Sequence, residues 1–144
     1  MVFHFPPISG GGVIVITGIA NTLAQLGHDV TIITPKIEWN GEKYHPKLNK
    51  NIKIIKVEIP SKSNLKIAAR RCYPNMKKTG MDFCKSEKVE LILSIFHPFH
   101  LVPKAAVEIG NKLNIPTFIK IDDAFYEKSS GLKSIQRKIE KYFN

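Results

Sequence analysis

The 144-residue chain has few cysteines and no long apolar run. Its two cysteines, Cys72 and Cys84, are not spaced as a CxxC pair, and the first residues lack the charged and apolar regions of a secretory signal. We therefore predict a reducing, cytoplasmic location and two free, buried thiols. A membrane-spanning helix needs about 20 consecutive apolar residues, and the sequence has no such run. Any contact with a bilayer is therefore expected at its surface.

The sequence also lacks two common phosphate-binding motifs. A GxGxxG loop is absent, because the glycine run at residues 10–12 is followed by no glycine until Gly18. The second predicted strand ends with Thr34, where dinucleotide-binding proteins place an acidic residue for the ribose. No GxxxxGK[ST] sequence occurs anywhere in the chain. These absences argue against NAD-dependent enzymes and P-loop ATPases.

Positive charge dominates the composition. The chain has 22 Lys and Arg against 12 Asp and Glu, which gives a formal net charge of +10. This excess indicates an anionic partner such as a phosphate, a nucleic acid or an acidic membrane surface. The hydrophobic share of 43% is ordinary for a globular protein, and the length corresponds to one domain with its own core.

The order of the apolar segments predicts an α/β domain. Expected strands lie at residues 1–5, 30–34, 52–59, 89–96 and 116–121, and expected helices at residues 13–26, 63–87, 101–113 and 133–144. A strand, a glycine loop, a helix and a strand at the start form a βαβ unit, which implies parallel strands and a right-handed crossover. We predict a doubly wound, mostly parallel, Rossmann-like sheet of about five to six strands with helices on both faces.

Three helical stretches carry further detail. The first turn of the first helix, residues 13–16, is apolar all round and is expected to be buried. Tyr73 and Pro74 interrupt the second stretch and divide or kink it. The C-terminal stretch is amphipathic, with apolar residues at helical spacing. These residues are Ile135, Ile139, Tyr142 and Phe143.

The glycine run Gly10, Gly11 and Gly12 is the most informative segment for function. In a doubly wound sheet, ligands bind beyond the carboxyl ends of the strands, and this run lies between the first strand and the first helix. Glycines let a backbone approach a ligand closely and leave the unpaired N–H groups of the helix directed at it. A flexible turn is the alternative, but three consecutive glycines favour a site for an anionic or hydroxyl-rich group.

Two parts of the sequence resemble a known family. Residues 5–12 read FPPISGGG, and residues 23–35 read LAQLGHDVTIITP. They resemble the start of family-4-type glycosyltransferases of the GT-B architecture, which open with an FPP-x-x-GG loop and an LAxxLxxxGHxVxxxT segment. Residues 91–98, the helix from Val102 and residues 115–119 resemble a later part of the family: a strand ending in histidine, a helix and an IPxVxTxHD motif.

The resemblance implies roles for residues at the strand ends. The glycine run matches a loop beside the donor diphosphate and the acceptor, so Gly10, Gly11 and Gly12 are expected to bind substrate. His97 matches a histidine that points toward the reacting sugar. Asp123 matches the family aspartate, so these two are the candidate catalytic residues.

The acidic pair and the histidines each leave an alternative open. Asp122 stands where the family often has histidine, and it is a candidate for substrate binding. Asp122 and Asp123 together either chelate a divalent cation with a nucleotide sugar or form a solvated turn or a helix cap. His97 and His100 would supply two metal ligands, but no third lies nearby in sequence, so no metal site is expected.

The resemblance also implies a missing domain. Family members have a second Rossmann-like domain that holds the nucleotide-sugar diphosphate, and 144 residues leave no room for it. We expect residues 1–144 to be a single N-terminal, acceptor-side domain, inactive alone because nothing would stabilise the charge on the leaving diphosphate. The expected partners are a nucleotide sugar as substrate, a saccharide or lipid-linked acceptor, and the absent domain, with no resident cofactor.

Basic residues concentrate in the middle of the chain. We call six of them the basic patch: Lys62, Lys66, Arg70, Arg71, Lys77 and Lys78. A solvated helix face is the simpler interpretation of any one lysine. The density of the patch favours docking on anionic lipid headgroups, at ~1 kcal/mol per basic residue near the surface. We therefore expect peripheral contact with the inner face of the membrane, which suits a lipid-linked acceptor.

A binding module without enzymatic activity is the competing interpretation. A basic α/β domain would bind nucleic acid or another phosphate-bearing ligand through its charge alone. The sequence has no helix-turn-helix, zinc-finger or RNA-binding signature. We therefore expect no nucleic-acid partner.

Overall fold

The computed structural model describes residues 1–38, 40–59, 69–96 and 100–121. The helices and strands in these ranges are α1 Gly11–Gln25, β1 Thr31–Pro35, β2 Lys53–Val57, α2 Tyr73–Ser86, β3 Ile92–Phe96, α3 Val102–Leu113 and β4 Thr117–Ile121. The chain therefore has the mixed α/β order that its apolar segments predict. The predicted C-terminal helix lies outside the described residues.

The described strands pair in parallel. β1 pairs with β2 and β3 pairs with β4, each over five residues. They form two two-stranded sheets. The prediction of parallel strands is confirmed, whereas one continuous sheet of five to six strands is not found among the described residues.

Residues 1–5, predicted to be a strand, have no strand assignment. The amino group of Met1 donates a hydrogen bond to the carbonyl of Leu93 at 2.6 Å. The Val2 N–H donates to the carbonyl of Ile33 at 3.0 Å. The segment thus lies between the two sheets and is hydrogen-bonded to both.

The start of the chain forms no regular ladder because its extended stretch is short. Pro6 and Pro7 follow directly, and proline has no N–H to donate to a neighbouring strand. The N–H of Ile8 then donates to the carbonyl of Phe5 at 3.2 Å, which closes a turn. Extended chain therefore ends before a full set of strand hydrogen bonds can form.

Helices cover both faces of the strands. Neighbouring side chains of a strand point to opposite faces, and Ile32 and Ile33 of β1 are buried in different cores. Ile32 packs in a core with Ile16 of α1. Ile33 packs in a core with Met76 of α2 and Val102, the first residue of α3.

The first turn of α1 is only half buried, contrary to expectation. Val13 and Ile16 are buried, but Ile14 is 54% exposed and Val15 is 37% exposed. A helix lying on a sheet buries one stripe of residues at helical spacing, and Ile14 and Val15 fall outside that stripe. Apolar composition all round the turn therefore does not lead to burial all round.

Residues 69–71 are helical and a turn at Cys72 separates them from α2, so the predicted division of this stretch near Tyr73 and Pro74 is confirmed. The helix starts at Tyr73 with proline in its first turn, where the missing N–H has no intrahelical partner to lose. The first part of the predicted stretch, residues 63–68, lies outside the described residues. None of the described helices combines the length and apolar character needed to cross a membrane.

Candidate functional site

The start of α1 is built from glycine alone. Gly10 occupies the N-cap position with φ 151° and ψ 158°, a backbone conformation that side chains with a Cβ rarely adopt. No side chain caps the helix, and its first turn has no acidic residue. Gly10, Gly11 and Gly12 are all exposed, as the predicted ligand loop requires.

The first N–H groups of α1 are available to a ligand. The N–H groups of Val13 and Ile14 donate to the carbonyl of Gly10 at 3.0 and 3.1 Å. The earlier groups, on Gly11 and Gly12, have no carbonyl one turn before them in the helix. The aligned peptide dipoles give this end a partial positive charge. An oxyanion or a hydroxyl oxygen is the group that such an end binds.

Space around the first two glycines of the run, Gly10 and Gly11, is open. A Cβ added to Gly11, or to Gly18 two turns later, would meet no heavy atom within 4 Å. Packing within the described residues therefore does not require glycine at either position. The absence of side chains at the helix start leaves its backbone accessible.

The loop before the glycine run is fixed in place by a second loop. The Tyr44 N–H donates to the carbonyl of Pro7 at 3.0 Å, and Ile8 forms an isolated antiparallel bridge with Lys43. Phe5 and Ile8 are buried. The glycines therefore start from an anchored segment.

A crevice of about 30 Å³ lies beside this loop at the carboxyl end of β1. It is lined by Phe5, Pro6, Pro7, Ile8, Thr34, Pro35, Lys36, Ile37 and Lys56. Its position agrees with the rule that ligands bind beyond the carboxyl ends of parallel strands.

Two lysines of the crevice were missed by sequence reasoning. Lys36 directly follows β1, and its Nζ lies 2.8 Å from Oε1 of Glu58. That hydrogen bond raises the pKa of Lys36. Lys56 is opposite Thr34 in the register of β1 and β2. The position of Lys36 after a strand was visible in the sequence, but that of Lys56 depends on a strand register that the sequence does not give.

A larger depression, of about 360 Å³, lies on the other side of Lys56. Its lining residues are Lys56, Val57, Glu58, Asn75, Lys78, Thr79 and Asp82. Two lysines and two carboxylates balance in charge there. The depression is thus a weaker candidate for an anionic ligand than the start of α1.

The candidate catalytic residues His97 and Asp123, and the neighbouring Asp122, lie outside the described residues. The strands that lead to them end side by side, because Phe96 of β3 is the register partner of Ile121 of β4. The chain therefore continues from the same edge of the sheet into the segment with His97 and into the segment with Asp122 and Asp123. Their meeting with the glycine run stays a prediction.

His100, the next histidine along the chain, is buried beside residues 1–5. Its ring stacks on Phe3 with the centroids 4.9 Å apart, and His4 lies edge-on to it at 5.8 Å. Within the described ranges, no group of three or more His, Cys, Asp or Glu side chains is arranged to hold a metal ion. His100 is thus part of the core beside the site.

The two cysteines differ in burial. Cys72, the N-cap residue of α2, is fully buried in the core. Burial raises its pKa to about 12, so its thiol is a poor nucleophile at neutral pH. Cys84 is only half-buried, and burial again raises its pKa. The prediction of a buried thiol is confirmed for Cys72 and is wrong for Cys84.

The basic patch is described in part. Lys62 and Lys66 lie outside the described residues. Arg70, Arg71 and Lys78 are exposed, and none of the three forms an ion pair with another described residue.

Lys77 differs from the rest of the patch, because its Nζ lies 2.5 Å from Oε2 of Glu108 on α3. The Tyr73 hydroxyl donates to the same oxygen. Burial alone raises the pKa of Glu108, but the hydrogen bonds from Lys77 and Tyr73 outweigh it, so that pKa lies below its usual value. The charge of Lys77 is therefore used within the chain, to join α2 to α3.

Comparison with known proteins finds structural neighbours but no sequence match. No family model matches the chain, and no curated protein matches it. Apo UGT2 of Phytolacca americana is similar in structure over 83% of this chain, with a TM-score of 0.54 and 11% identity. The fold is GT-B-like. A UGT transferase from Siraitia grosvenorii, solved in complex with UDP, is similar over 82% of this chain, with a TM-score of 0.53 and 14% identity.

These neighbours are much longer than the chain. The similar region covers 28% of the Phytolacca protein and 26% of the Siraitia protein. Both are UDP-glycosyltransferases, and at 11% and 14% identity the likeness shows the fold alone. Membership of the family-4 type stays a prediction.

Proposed function

We propose that the chain is the N-terminal, acceptor-side domain of a GT-B glycosyltransferase. It would act in transfer of a sugar from a nucleotide-sugar donor to a saccharide or lipid-linked acceptor. The observation that carries the proposal is the uncapped, glycine-only start of α1, which lies beside a crevice at the carboxyl end of β1. The UDP complex of a structural neighbour is consistent with a nucleotide-sugar partner.

The proposal assigns a chemical task to each part of the site. The first N–H groups of α1 bind a phosphate oxygen of the donor or a hydroxyl of the acceptor. His97 and Asp123 follow the adjacent ends of β3 and β4 and act on the reacting sugar. The leaving diphosphate needs fixed positive charge, which a further domain supplies. The chain alone is therefore expected to show no turnover.

We also propose one five-stranded order for the sheet. Residues 1–5 occupy the central position between β1 and β3, and β2 and β4 form the outer strands. The hydrogen bonds from Met1 to Leu93 and from Val2 to Ile33 support this order. In this arrangement, the glycine run follows the central strand, at the point where the direction of winding reverses.

A titration of the ¹⁵N-labelled chain with UDP tests the role of the glycine run. We expect the largest amide shifts at Gly10, Gly11 and Gly12. Gly11→Asp should abolish them, because a carboxylate at the helix start competes with the phosphate for the same N–H groups. Gly18→Asp is the matched control, since its site is equally open but lies two turns into the helix.

Two results would contradict the proposal. Shifts that survive Gly11→Asp would place the ligand elsewhere. Tight, salt-sensitive binding of RNA or DNA through Arg70, Arg71 and Lys78, with no response of the glycine run to UDP, would favour the basic binding module instead.

A further inference from the structure

The depression of about 360 Å³ beside β2 lies between a helix and a strand. Four polar residues of α2 line one side, and they share a helix face because they are spaced three and four residues apart. They are Asn75, Lys78, Thr79 and Asp82. Residues 56–58, at the carboxyl end of β2, form the other side. This face of α2 therefore meets a second wall and not only solvent.

The depression follows the outer edge of β2, away from β1. The Lys36 N–H donates to the carbonyl of Val57 at 2.8 Å, so Val57 faces β1. Glu58 faces the other way, since its carbonyl accepts a hydrogen bond from Nδ2 of Asn75 at 3.0 Å. Alternate residues of a parallel strand direct their N–H and carbonyl groups to the same edge. The main chain of Lys56 therefore also faces this edge.

Several polar groups around the depression are not used within the described part of the chain. Thr79 is half-buried, and its hydroxyl forms no hydrogen bond with another described residue. Lys56, Lys78 and Asp82 form no ion pair with another described residue. A partly buried hydroxyl without a partner in the protein costs free energy unless water or a ligand bonds to it. These groups are therefore available to a ligand.

The lining favours a neutral, hydroxyl-rich ligand. Of the seven lining residues, only Val57 is apolar, whereas pockets for apolar ligands are mostly hydrophobic. Two lysines and two carboxylates balance in charge, so an anion gains little net attraction. Lysines only donate hydrogen bonds and carboxylates only accept them, but a hydroxyl group does both. Neighbouring hydroxyls of a sugar can therefore pair with both kinds of side chain.

The depression adjoins the crevice beside the glycine run. Lys56 lines both of them. Lys36 lines the crevice and Glu58 lines the depression, and their ion pair at 2.8 Å joins the two walls. A chain of linked sugars can thus extend from one space into the other.

We propose that the depression is a subsite for a neutral saccharide, and that it binds the units of a saccharide acceptor beyond the reacting one. The link to an acceptor rests on the proposed function, whereas saccharide binding itself does not. Thr79 and Asp82 bind sugar hydroxyls from α2, and Lys56 and Lys78 donate to others. The volume lies within the range of small-molecule sites.

Titration of the ¹⁵N-labelled chain with maltose, cellobiose, lactose and sucrose tests the subsite. We expect at least one of these neutral disaccharides to shift the amides of Thr79 and Asp82, with a dissociation constant in the millimolar range. The double variant Thr79→Val, Asp82→Ala removes a hydroxyl and a carboxylate. It should weaken binding at least about tenfold, because one neutral and one charged hydrogen bond are lost.

A second double variant is the matched control. Thr22→Val with Glu87→Ala makes similar changes at exposed helical and helix-end positions outside the depression and should leave binding unchanged. Far-UV circular dichroism confirms that both double variants are folded. Equal binding by the two would place the sugar elsewhere and overturn the proposal.

The other probes decide the class of ligand. No shift around the depression with any of the four disaccharides would overturn the proposal. Shifts at Lys56 and Lys78 with inorganic phosphate, and none with the disaccharides, would identify an anion site, which also overturns it.

The UDP titration separates this subsite from the proposed function. A response of the glycine run to UDP, without a response of α2 to saccharides, keeps the proposed function and overturns the subsite. A response of α2 to saccharides, without a response of the glycine run to UDP, supports saccharide binding and removes its role in holding an acceptor.

Discussion

The amino group of Met1 lies inside the molecule, although the residue as a whole is only half-buried. It donates a hydrogen bond to the carbonyl of Leu93 at 2.6 Å. Burial lowers its pKa from 8.0 to about 5, a shift that the charge of Cys84 opposes. At neutral pH the amine is therefore neutral in the folded chain and charged in the unfolded one.

This difference makes stability depend on pH. Between the two pKa values, 8.0 and about 5, the unfolded chain binds more protons, so the free energy of unfolding falls as the pH is lowered. The slope from this group reaches ~1.4 kcal/mol per pH unit. Below both values each state is protonated, and the contribution no longer changes. Urea unfolding across this range measures the slope.

Nuclear magnetic resonance of Met1 separates this effect from the titration of histidines. With selectively labelled Met1, we expect a titration midpoint near pH 5 in the folded chain, and one near ~8 in urea. A midpoint near 8 in both states would show that the amine is solvated in the folded chain, and the pH dependence would then need another cause.

Single residues also show where sequence reasoning fails. The burial of Cys72 follows from its apolar neighbours on a helix, whereas the exposure of Ile14 depends on how α1 is rotated on the sheet. The pairing of Lys77 with Glu108 joins residues far apart in sequence. Such properties depend on how elements pack together, which local composition does not specify.

Of the helical glycines described, Gly110 of α3 makes the closest contact, and it makes it with β4. A Cβ on Gly110 would lie 2.0 Å from Oγ1 of Thr117 and 2.8 Å from the carbonyl oxygen of Ile115. We expect Gly110→Ala to lower the melting temperature strongly, because the backbone after α3 cannot move aside without shifting β4. Overpacking of this kind costs roughly 1–3 kcal/mol.

Two other helical glycines provide graded controls for this measurement. A Cβ on Gly80 would meet Cδ1 of Ile109 at 2.8 Å and Sδ of Met1 at 2.9 Å, which are ends of flexible side chains, so Gly80→Ala should cost less than Gly110→Ala. Gly18→Ala meets open space and should stabilise α1 by up to ~1 kcal/mol through helix propensity. A different order of the three melting temperatures would contradict the packing described.

Local patterns were sufficient for most of these elements. The β-branched run before Pro35 and the helical spacing from Val102 predict β1 and α3 closely. Residues 1–5 have the same apolar character as a strand but lie next to two prolines that remove donors. The pairing of strands into sheets depends on such long-range hydrogen bonds and therefore could not be predicted from each segment alone.

At the scale of the whole molecule, the candidate site combines parts that the sequence shows with parts that it does not. The glycine run and the strand ends at Phe96 and Ile121 were recognisable from motifs and their order. The anchoring of the loop by Tyr44 and the lysines of the crevice required the folded arrangement. The GT-B-like neighbours agree in fold with the resemblance seen in the sequence, although the chain spans only about a quarter of their length.

The excess of positive charge is also a property of the whole molecule, and its partner can be tested with vesicles. Arg70, Arg71 and Lys78 are exposed, and none forms an ion pair with another described residue. At ~1 kcal/mol per basic residue near an anionic surface, reversing all three to Glu should lower partitioning onto phosphatidylserine-containing vesicles by at least about a hundredfold. Co-sedimentation at physiological salt measures this partitioning.

The control must change the net charge equally while sparing the patch. Lys50→Glu, Lys53→Glu and Lys112→Glu reverse three exposed lysines elsewhere in the chain. Because exposed charges farther from the surface than about 8 Å are screened at physiological salt, the control triple should lose much less binding than the patch triple. Equal losses would mean that net charge alone drives binding. The basic patch would then not orient the chain on a membrane toward a lipid-linked acceptor.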